Sequence, residues 1–258
     1  MCAVSYLNTV PLVWGLQHSP DPILREAFDL RFALPSACAD QLASGRADIG
    51  IVPVIEMARQ GLDYFPGSGI ACHGPVRSIL LISKVPFKEI RTLATDSGSR
   101  TSAMLSQVIL AEKFGVRPQV FSLPADLPDM LGKADAALVI GDAALRLDPA
   151  TLPFETLDLG AEWIAMTGLP MVFAVWAGRK EVIHEPYGRL FLESLRYGLT
   201  HMDDIVAAEA PGRGFSPDVV RRYLTHHIVF ELAEKDYEGM RLYIQHALRL
   251  DKDMMVSK

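Results

Sequence analysis

The residues best suited to chemistry stand where predicted strands end and where predicted helices begin. Near the start of the chain, the stretch VSYLNTVPL runs from an apolar strand into Ser5 and Asn8. Hydroxyl and amide groups can donate hydrogen bonds to an anionic oxygen without changing their own charge near neutral pH. Ligands of α/β sheets bind outside the carboxyl ends of the strands, where these two side chains should lie. The stretch therefore indicates a ligand-facing sheet edge.

A second candidate is the stretch PSACADQLASGRADIGIVPV. It predicts a helix over Ser36–Ser44, with Ser36 as the N-cap and Gly45 just past the end, followed by a buried strand. One interpretation is an ordinary capped helix. The other is that the free N–H groups of the first turn bind an anionic oxygen.

A third candidate is the stretch TDSGSRTSAML. Four residues with hydrogen-bonding side chains, Ser99 to Ser102, open a helix predicted over Ser102–Phe114. A plain cap needs only one of them, so Thr101 and Ser102 could form a carboxylate site at the positive end of the helix dipole. The alternative is an ordinary helix start with Arg100 in solvent.

Two further stretches carry polar residues at predicted strand ends. In HGPVRSILL, Arg77 and Ser78 fall where a strand that crosses between two lobes would line a cleft. In LVIGDAALRL, Asp142 stands between a strand and a helix, and this position is more typical of an N-cap than of a catalytic carboxylate.

The elements that position these residues follow from hydrophobic patterning. Short apolar runs bounded by Gly, Pro or Asp are typical of strands in a sheet covered on both faces. The predicted strands are Ala3–Ser5, Leu30–Ala33, Ile49–Val52, Ser78–Ile82, Thr92–Ala94, Gln119–Phe121, Ala136–Ile140 and Val172–Ala177. Amphipathic segments after Ala177 predict three helices, Pro186–Leu199, Ser216–Tyr223 and Ala233–Leu250. Strands that alternate with helices indicate an α/β fold.

Two strand-entry turns suggest how the chain divides into lobes. Gly74–Ser83 and Gly168–Ala177 are each a turn followed by a strand, as expected where a chain crosses between lobes. We therefore predict a first lobe made of residues 1–83 and 170–258, including the helical tail, and an inserted second lobe of residues 84–169. A cleft between two such lobes is a common site for small ligands.

The composition excludes several classes of protein. Half of the 258 residues are hydrophobic, and the net charge of −6 comes from well-mixed acids and bases, which argues against a nucleic-acid surface. No signal peptide and no membrane-spanning stretch is visible, so a cytoplasmic protein without a membrane partner is expected. The three cysteines, Cys2, Cys38 and Cys72, lack metal-ligand spacing and are predicted to be buried thiols. The histidines are scattered, and neither a metal site nor a phosphate or dinucleotide motif is predicted.

Taken together and in order, the motifs are specific. SYLNTVPL, PS with L-x-x-G-x-x-D-I-G-I-V-P, V-R-S-I, S-R-T-S, I-G-D-A-A-L and T-G-L-P-M-V-F-A-V-W resemble the chorismate dehydratases of the futalosine route to menaquinone. The resemblance runs from Val4 to about Ala177. A sister enzyme of that route, 1,4-dihydroxy-6-naphthoate synthase, opens with a different motif. The resemblance implies an α/β, two-lobed fold like that of type 2 periplasmic binding proteins, with a ligand cleft between the lobes.

The resemblance also implies the reaction and its site. Chorismate would lose water to give 3-[(1-carboxyvinyl)oxy]benzoate, with no cofactor. The substrate's own enolpyruvyl carboxylate can act as the base at C3, so the protein would supply orientation and electrostatic support. We accordingly predict Asn8 as the catalytic residue. The residues predicted to bind the substrate are Ser5, Ser36, Arg77, Ser78, Thr101 and Ser102.

Two other functions remain open from the sequence. A non-catalytic solute-binding protein for a small carboxylate would share the fold, although no signal peptide or lipidation cysteine supports uptake. Another enzyme of the same pathway would act on a later intermediate. The sequence gives no indication of the oligomeric state.

Overall fold

A computed structural model describes residues 1–256 of the chain, and side chains up to residue 253. Its strands are β1 Cys2–Val4, β2 Arg31–Ala33, β3 Ile49–Pro53, β4 Asp63–Cys72, β5 Ile79–Ser83, β6 Thr92–Asp96, β7 Gln119–Leu123, β8 Ala136–Ile140, β9 Glu155–Asp158, β10 Met171–Gly178 and β11 Val229–Glu231. Its α-helices are α1 Val10–His18, α2 Pro22–Arg25, α3 Pro35–Ala43, α4 Val54–Gln60, α5 Thr101–Phe114, α6 Leu127–Lys133, α7 Gly141–Leu145, α8 Leu159–Thr167, α9 Glu185–Thr200, α10 Met202–Arg213, α11 Pro217–Arg222 and α12 Glu234–Val256. Short 3₁₀ turns cover Leu7–Thr9, Phe87–Glu89 and Lys180–Val182, and a π-helix covers Tyr223–His227.

The chain forms two compact units. The first contains residues 1–71 and 172–234, and its sheet has the strand order β11-β4-β10-β3-β1-β2. Strand β1 runs parallel to both β2 and β3, so the carboxyl ends of these three strands meet at one sheet edge. Strand β10 is antiparallel to β3 and is buried along its whole length, as its apolar sequence predicts.

Helix α1 follows that sheet edge and is held closely against α9. A Cβ atom on Gly198 would lie 2.2 Å from the carbonyl oxygen of Pro11, so only glycine permits this approach. The buried Ser194 hydroxyl donates to the Leu12 carbonyl at 2.8 Å and accepts from the Leu16 N–H at 3.1 Å. The two helices therefore fix the backbone that follows the first strand.

The second unit contains residues 72–171 and 235–258, and its sheet has the strand order β7-β6-β8-β5-β9. Strands β6, β7 and β8 are parallel, whereas β5 is antiparallel to β8 and β9. The two faces of β5 and β8 are apolar. On one side of the sheet, Met130 of α6 packs in a buried cluster with the strand residues Leu80, Ile82, Ala94, Ala137 and Val139.

Helix α12 belongs to this second unit. The Tyr243 hydroxyl donates to the Thr101 carbonyl at 2.9 Å, and the ring of Tyr243 meets that of Trp163 edge to face. Close to the start of α12, a Cβ atom on Gly239 would lie 2.0 Å from the carbonyl oxygen of Pro170. The amphipathic tail helix predicted from the sequence is therefore present, and it buries Tyr243 against α5 and α8.

The eight strands predicted from the sequence are all confirmed, with shifts of one or two residues at their ends. Strands β4, β9 and β11 and helices α1, α2, α4, α6, α8 and α10 were not predicted. The exposed ends of β4 and β9 and the short length of β11 weaken the apolar alternation on which such a prediction depends.

The division into units differs from the predicted boundaries in two segments. Residues 72–83 and 235–258, which we assigned to the first lobe, group with the second unit. Strand β5 pairs along its full length with β8 and β9, and this pairing places residues 79–83 inside the second sheet. The chain passes between units after Ala71, before the predicted crossing, and again after Met171 and Glu234.

Candidate active site

Asn8 lies in the 3₁₀ turn that follows β1. Its Nδ2 group donates to the hydroxyl oxygen of Tyr223 at 3.2 Å. Among the described residues, its Oδ1 atom is buried and has no hydrogen-bond partner, and the same is true of Thr9 Oγ1. Buried polar atoms are normally paired, so an unpaired one marks a place where a water, an ion or a ligand can complete the hydrogen bond. Two such atoms on consecutive residues mark this turn as a candidate active site.

Ser5 and Ser36 lie at the same sheet edge as Asn8. Strands β1 and β2 are in register with Val4 beside Ala33, and the Ser5 N–H donates to the Ala33 carbonyl at 3.0 Å. Ser5 is exposed, and its carbonyl accepts from the Arg213 guanidinium at 3.1 Å. The structure therefore brings Ser5, Asn8 and the start of α3 together in the first unit.

The prediction that Ser36 caps its helix is wrong. Helix α3 begins at Pro35, and its N-cap is Leu34, which has no side-chain oxygen with which to cap. Proline is favoured at the first helical position because its φ is already helical and it has no N–H to satisfy, so it moves the start one residue earlier. Ser36 is the second helical residue and is 8% exposed. Its hydroxyl thus stands on the uncapped first turn.

At one edge of the second unit, Arg77 has a left-handed backbone, with φ of 68°. This conformation is uncommon for residues with a Cβ atom and costs on the order of 1 kcal/mol or more. The carboxylate of Asp158 holds it in place, since Oδ2 accepts from the Arg77 N–H at 2.6 Å and Oδ1 from the Val76 N–H at 3.0 Å. Oδ1 also caps α8 by accepting from the N–H groups of Gly160 and Ala161.

The guanidinium of Arg77 is directed to the end of α7. It donates to the carbonyl oxygens of Ala144 and Leu147. Burial lowers the pKa of Arg77, and the carboxylates of Asp148 and Asp158 counteract that effect. Arg77 as a substrate ligand stays a prediction, and the structure gives its side chain a bracing role as well.

Asp142 is not the N-cap of the short helix α7. That helix starts at Gly141, and its N-cap is Ile140. Gly141 has a left-handed backbone with φ of 62°, and its N–H donates to the Ser78 carbonyl at 2.8 Å. Because that glycine turns the chain directly into the helix, Asp142 lies inside the first turn.

Helix α5 presents Thr101 and Ser102 at its first two positions, both at most 5% exposed. The side chain that accepts from the first turn is that of Ser99, whose Oγ takes the Ala103 N–H at 3.0 Å. Capping is thus provided outside the Thr101–Ser102 pair. Just before the helix, burial raises the pKa of Asp96, although the N–H of Gly98 bonds its carboxylate at 2.8 Å.

The strand register places these residues at one edge of the second sheet. Ile79 at the start of β5 pairs with Ile140 at the end of β8, and β6 ends beside β8 in parallel. Arg77 and Ser78 precede β5, and the start of α5 follows β6 by four residues. The predicted site residues therefore form two sets, one at an edge of each unit's sheet.

Sequence reasoning missed Tyr223 and Asp158. Tyr223 lies 215 residues from Asn8 in the chain, and Asp158 lies 81 residues from Arg77. Neither stands in a motif with a recognisable spacing. The only local signal was at Asp158, which precedes a helix as N-cap residues do.

Cys2, Cys38 and Cys72 are buried free thiols, as predicted, with the sulfur atoms of Cys2 and Cys38 2.8 Å apart. Burial raises the pKa of Cys72 to about 12. Among the described residues, no group of His, Cys, Asp or Glu is arranged to hold a metal ion. No helix in the described part of the chain is both long and apolar enough to cross a membrane.

The fold is shared with solved proteins of low sequence identity. The chain is similar to protein AF1704 from Archaeoglobus fulgidus, with a TM-score of 0.74 and 14% identity, covering 99% of this chain and 97% of that one. It is also similar to the periplasmic aliphatic sulphonate binding protein SsuA from Escherichia coli, with a TM-score of 0.63, 16% identity and coverage of 100% and 87%. A Candida albicans protein described as having the generic periplasmic binding protein fold gives a TM-score of 0.60 at 14% identity, with coverage of 95% and 88%. The class of protein is therefore an α/β protein of the periplasmic-binding-protein fold.

Sequence comparison defines the family. Residues 1–249 match the family described as menaquinone biosynthesis, and the chain belongs to that family. It is similar to a chorismate dehydratase of Thermus thermophilus, with 28% identity over 261 residues, covering 93% of this chain and 92% of the relative. A chorismate dehydratase of Campylobacter jejuni is 26% identical over 250 residues, with 94% coverage of both.

Proposed function

We propose that this protein is a chorismate dehydratase, a hydro-lyase that converts chorismate to 3-[(1-carboxyvinyl)oxy]benzoate and water. The observation that carries the proposal is the similarity to two chorismate dehydratases over more than nine-tenths of the chain. Membership of a menaquinone biosynthesis family is consistent with this reaction. The buried amide of Asn8, which is incompletely hydrogen-bonded within the described residues, supports the assignment of the chemistry to this side chain.

Asn8 would act by placing the base. A carboxamide N–H can donate to the enolpyruvyl carboxylate of the substrate and hold it over the C3 hydrogen. The carboxylate takes the C3 proton, and the electron pair enters the ring diene that is conjugated to the C1 carboxylate. The C4–O bond then breaks, and the proton held by the carboxyl group leaves with the hydroxyl as water. The ring becomes aromatic, which provides the driving force.

The two helix starts would bind the substrate's carboxylates. The first turn of α3 carries Ser36 and free backbone N–H groups, and the first turn of α5 carries Thr101 and Ser102. N–H groups at a helix start and the positive end of the helix dipole both favour an anion. We propose Ser5 and Ser78 as further hydrogen-bonding residues at the same two sheet edges, and Arg77 as the nearby positive charge.

The direct test is incubation of the purified protein with chorismate. We expect the diene absorbance to disappear and a product lighter than chorismate by one water to appear in mass spectrometry. Chorismate that carries deuterium at C3 should give a product without deuterium, because the C3 hydrogen is the one removed. Chorismate incubated without protein controls for spontaneous breakdown. Unchanged chorismate, or a product that retains the deuterium, would contradict the proposal.

The fold similarity to SsuA favours a second candidate, a non-catalytic binding protein for a small anion. The same sample distinguishes the two functions. Saturable binding of chorismate by calorimetry with no product after long incubation would favour the binding protein. Turnover excludes it.

A further inference from the structure

We propose that Tyr223 is a positioning residue that holds the side-chain amide of Asn8 in place. The inference deepens the proposed function and rests on it. It starts from one contact, since the Tyr223 hydroxyl oxygen lies 3.2 Å from Nδ2 of Asn8. Tyr223 is 2% exposed and is the first residue of the π-helix Tyr223–His227. Short π-helices are frequent at functional sites.

The two ends of a carboxamide have nearly the same shape but opposite hydrogen-bonding roles. When Nδ2 of Asn8 faces Tyr223, the other end of the amide is the acceptor Oδ1. This atom is buried and has no hydrogen-bond partner within the described residues. An acceptor facing a substrate carboxylate would repel it. The amide must therefore turn by 180° to donate to the substrate.

The turned amide keeps its contact with Tyr223. The Tyr223 hydroxyl then donates to Oδ1, and the N–H groups face the position that Oδ1 occupies without substrate. A tyrosine hydroxyl can serve in both orientations because it is both a donor and an acceptor. Phenylalanine could serve in neither. Tyr223 thus acts on the substrate through Asn8.

The first test is kinetic. Tyr223→Phe removes one hydroxyl from a buried ring, and we expect kcat for chorismate to fall about tenfold, the size of one hydrogen bond, with KM within twofold of the wild type. The matched control is Tyr197→Phe, since the Tyr197 hydroxyl donates to the His18 carbonyl at 3.2 Å in the same unit. That variant should keep the wild-type kcat.

A double variant separates positioning from general destabilisation. If Tyr223 acts through Asn8, adding Tyr223→Phe to Asn8→Ala should lower kcat no further. A second full tenfold loss in the double variant would overturn the proposal, as would a wild-type kcat in the single variant.

A second readout does not need the reaction. In the free protein, the side-chain amide signal of Asn8 in a ¹⁵N–¹H spectrum can be assigned by its absence in Asn8→Ala. We expect this signal to shift in Tyr223→Phe and to stay in place in Tyr197→Phe. An unmoved signal would overturn the positioning role even if chorismate is not the substrate, whereas a shifted signal without chorismate turnover would contradict only the proposed function.

Discussion

The two sheet edges that carry the predicted site residues differ in how completely their polar groups are paired. After β1, the amide oxygen of Asn8 and the hydroxyl of Thr9 are buried and unpaired within the described residues. At the edge of the second sheet, the Asp158 carboxylate accepts four backbone N–H groups, and the Arg77 guanidinium donates to two carbonyls.

This difference separates two kinds of task. An unpaired buried polar group costs stability, on the order of 1–3 kcal/mol, and is retained where a ligand can complete its hydrogen bonds. A carboxylate whose two oxygens already accept hydrogen bonds from the backbone has little remaining capacity to bind a substrate. Its role is to stabilise the conformation of the surrounding backbone. We therefore expect substitutions at the first edge to change turnover, and substitutions around Asp158 to change stability.

The largest effect is expected from Asn8→Ala. Removal of a hydrogen-bond donor to an oxyanion costs about 3 kcal/mol of transition-state stabilisation, on the order of a hundredfold in kcat. The variant also removes a buried unpaired atom, so its melting temperature should stay close to that of the wild type. Chorismate consumption and thermal unfolding, measured on the same preparation, check both statements.

Asn8→Asp is the matched variant because it keeps the shape of the side chain. A carboxylate there would repel the substrate carboxylate, so we expect turnover at least as poor as that of Asn8→Ala. If either variant retains turnover within a few-fold of the wild type, Asn8 has a structural role.

The next effect is expected from Asp158→Asn, and it should appear in stability. The amide can still accept through Oδ1, but its NH₂ group would face the Arg77 N–H that Oδ2 now accepts at 2.6 Å. Loss of this charge-assisted bond should lower the free energy of unfolding by about 2 kcal/mol, as measured by urea denaturation.

Asp126→Asn is the control for Asp158, because Asp126 also caps a helix in the second unit but accepts, within the described residues, a single N–H, that of Asp129. This substitution should lower the free energy of unfolding by about 1 kcal/mol or less. Equal losses in the two variants would mean that the Arg77 turn has no special dependence on Asp158.

The smallest effect is expected from the double substitution Thr101→Val and Ser102→Ala. It removes two hydroxyls at the start of α5 and keeps their approximate shape. We expect KM for chorismate to rise about tenfold, the contribution of one to two hydrogen bonds. Because Ser99 provides the capping oxygen, the melting temperature should change less than in Ser99→Ala. A larger fall in melting temperature in the double variant than in Ser99→Ala would mean that Thr101 and Ser102 cap the helix and do not bind the substrate.

Local sequence patterns predicted the elements better than their partners. Apolar runs indicate which residues are buried, and buried runs of this length form strands. For this reason each predicted strand is present in the structure. The same patterns cannot say which surface covers an apolar stripe. The stripe on α12 was predicted correctly, but its burial beside Trp163 in the second unit was not.

The candidate site shows the same limit. Asn8 and the start of α5 are predicted as site residues because polar residues at strand and helix ends are visible in the sequence. The contacts that give them their properties join Asn8 to Tyr223 and Arg77 to Asp158, across 215 and 81 residues. Ser36 was assigned as a cap because the preference of proline for the first helical position was given too little weight.

The strand orders also determine when each sheet can be completed during synthesis. All five strands of the second sheet lie between Ile79 and Asp158, so they leave the ribosome before β10 does. The first sheet needs β10 between β4 and β3, and until Gly178 has emerged the first four strands lack their middle neighbour. Pulse-labelled hydrogen exchange on ribosome-bound chains should show protected amides in β5 to β8 while those of β1 to β4 still exchange. The turn that contains Asn8 would then be among the earliest segments made and among the last to reach its final surroundings, since Tyr223 follows later still.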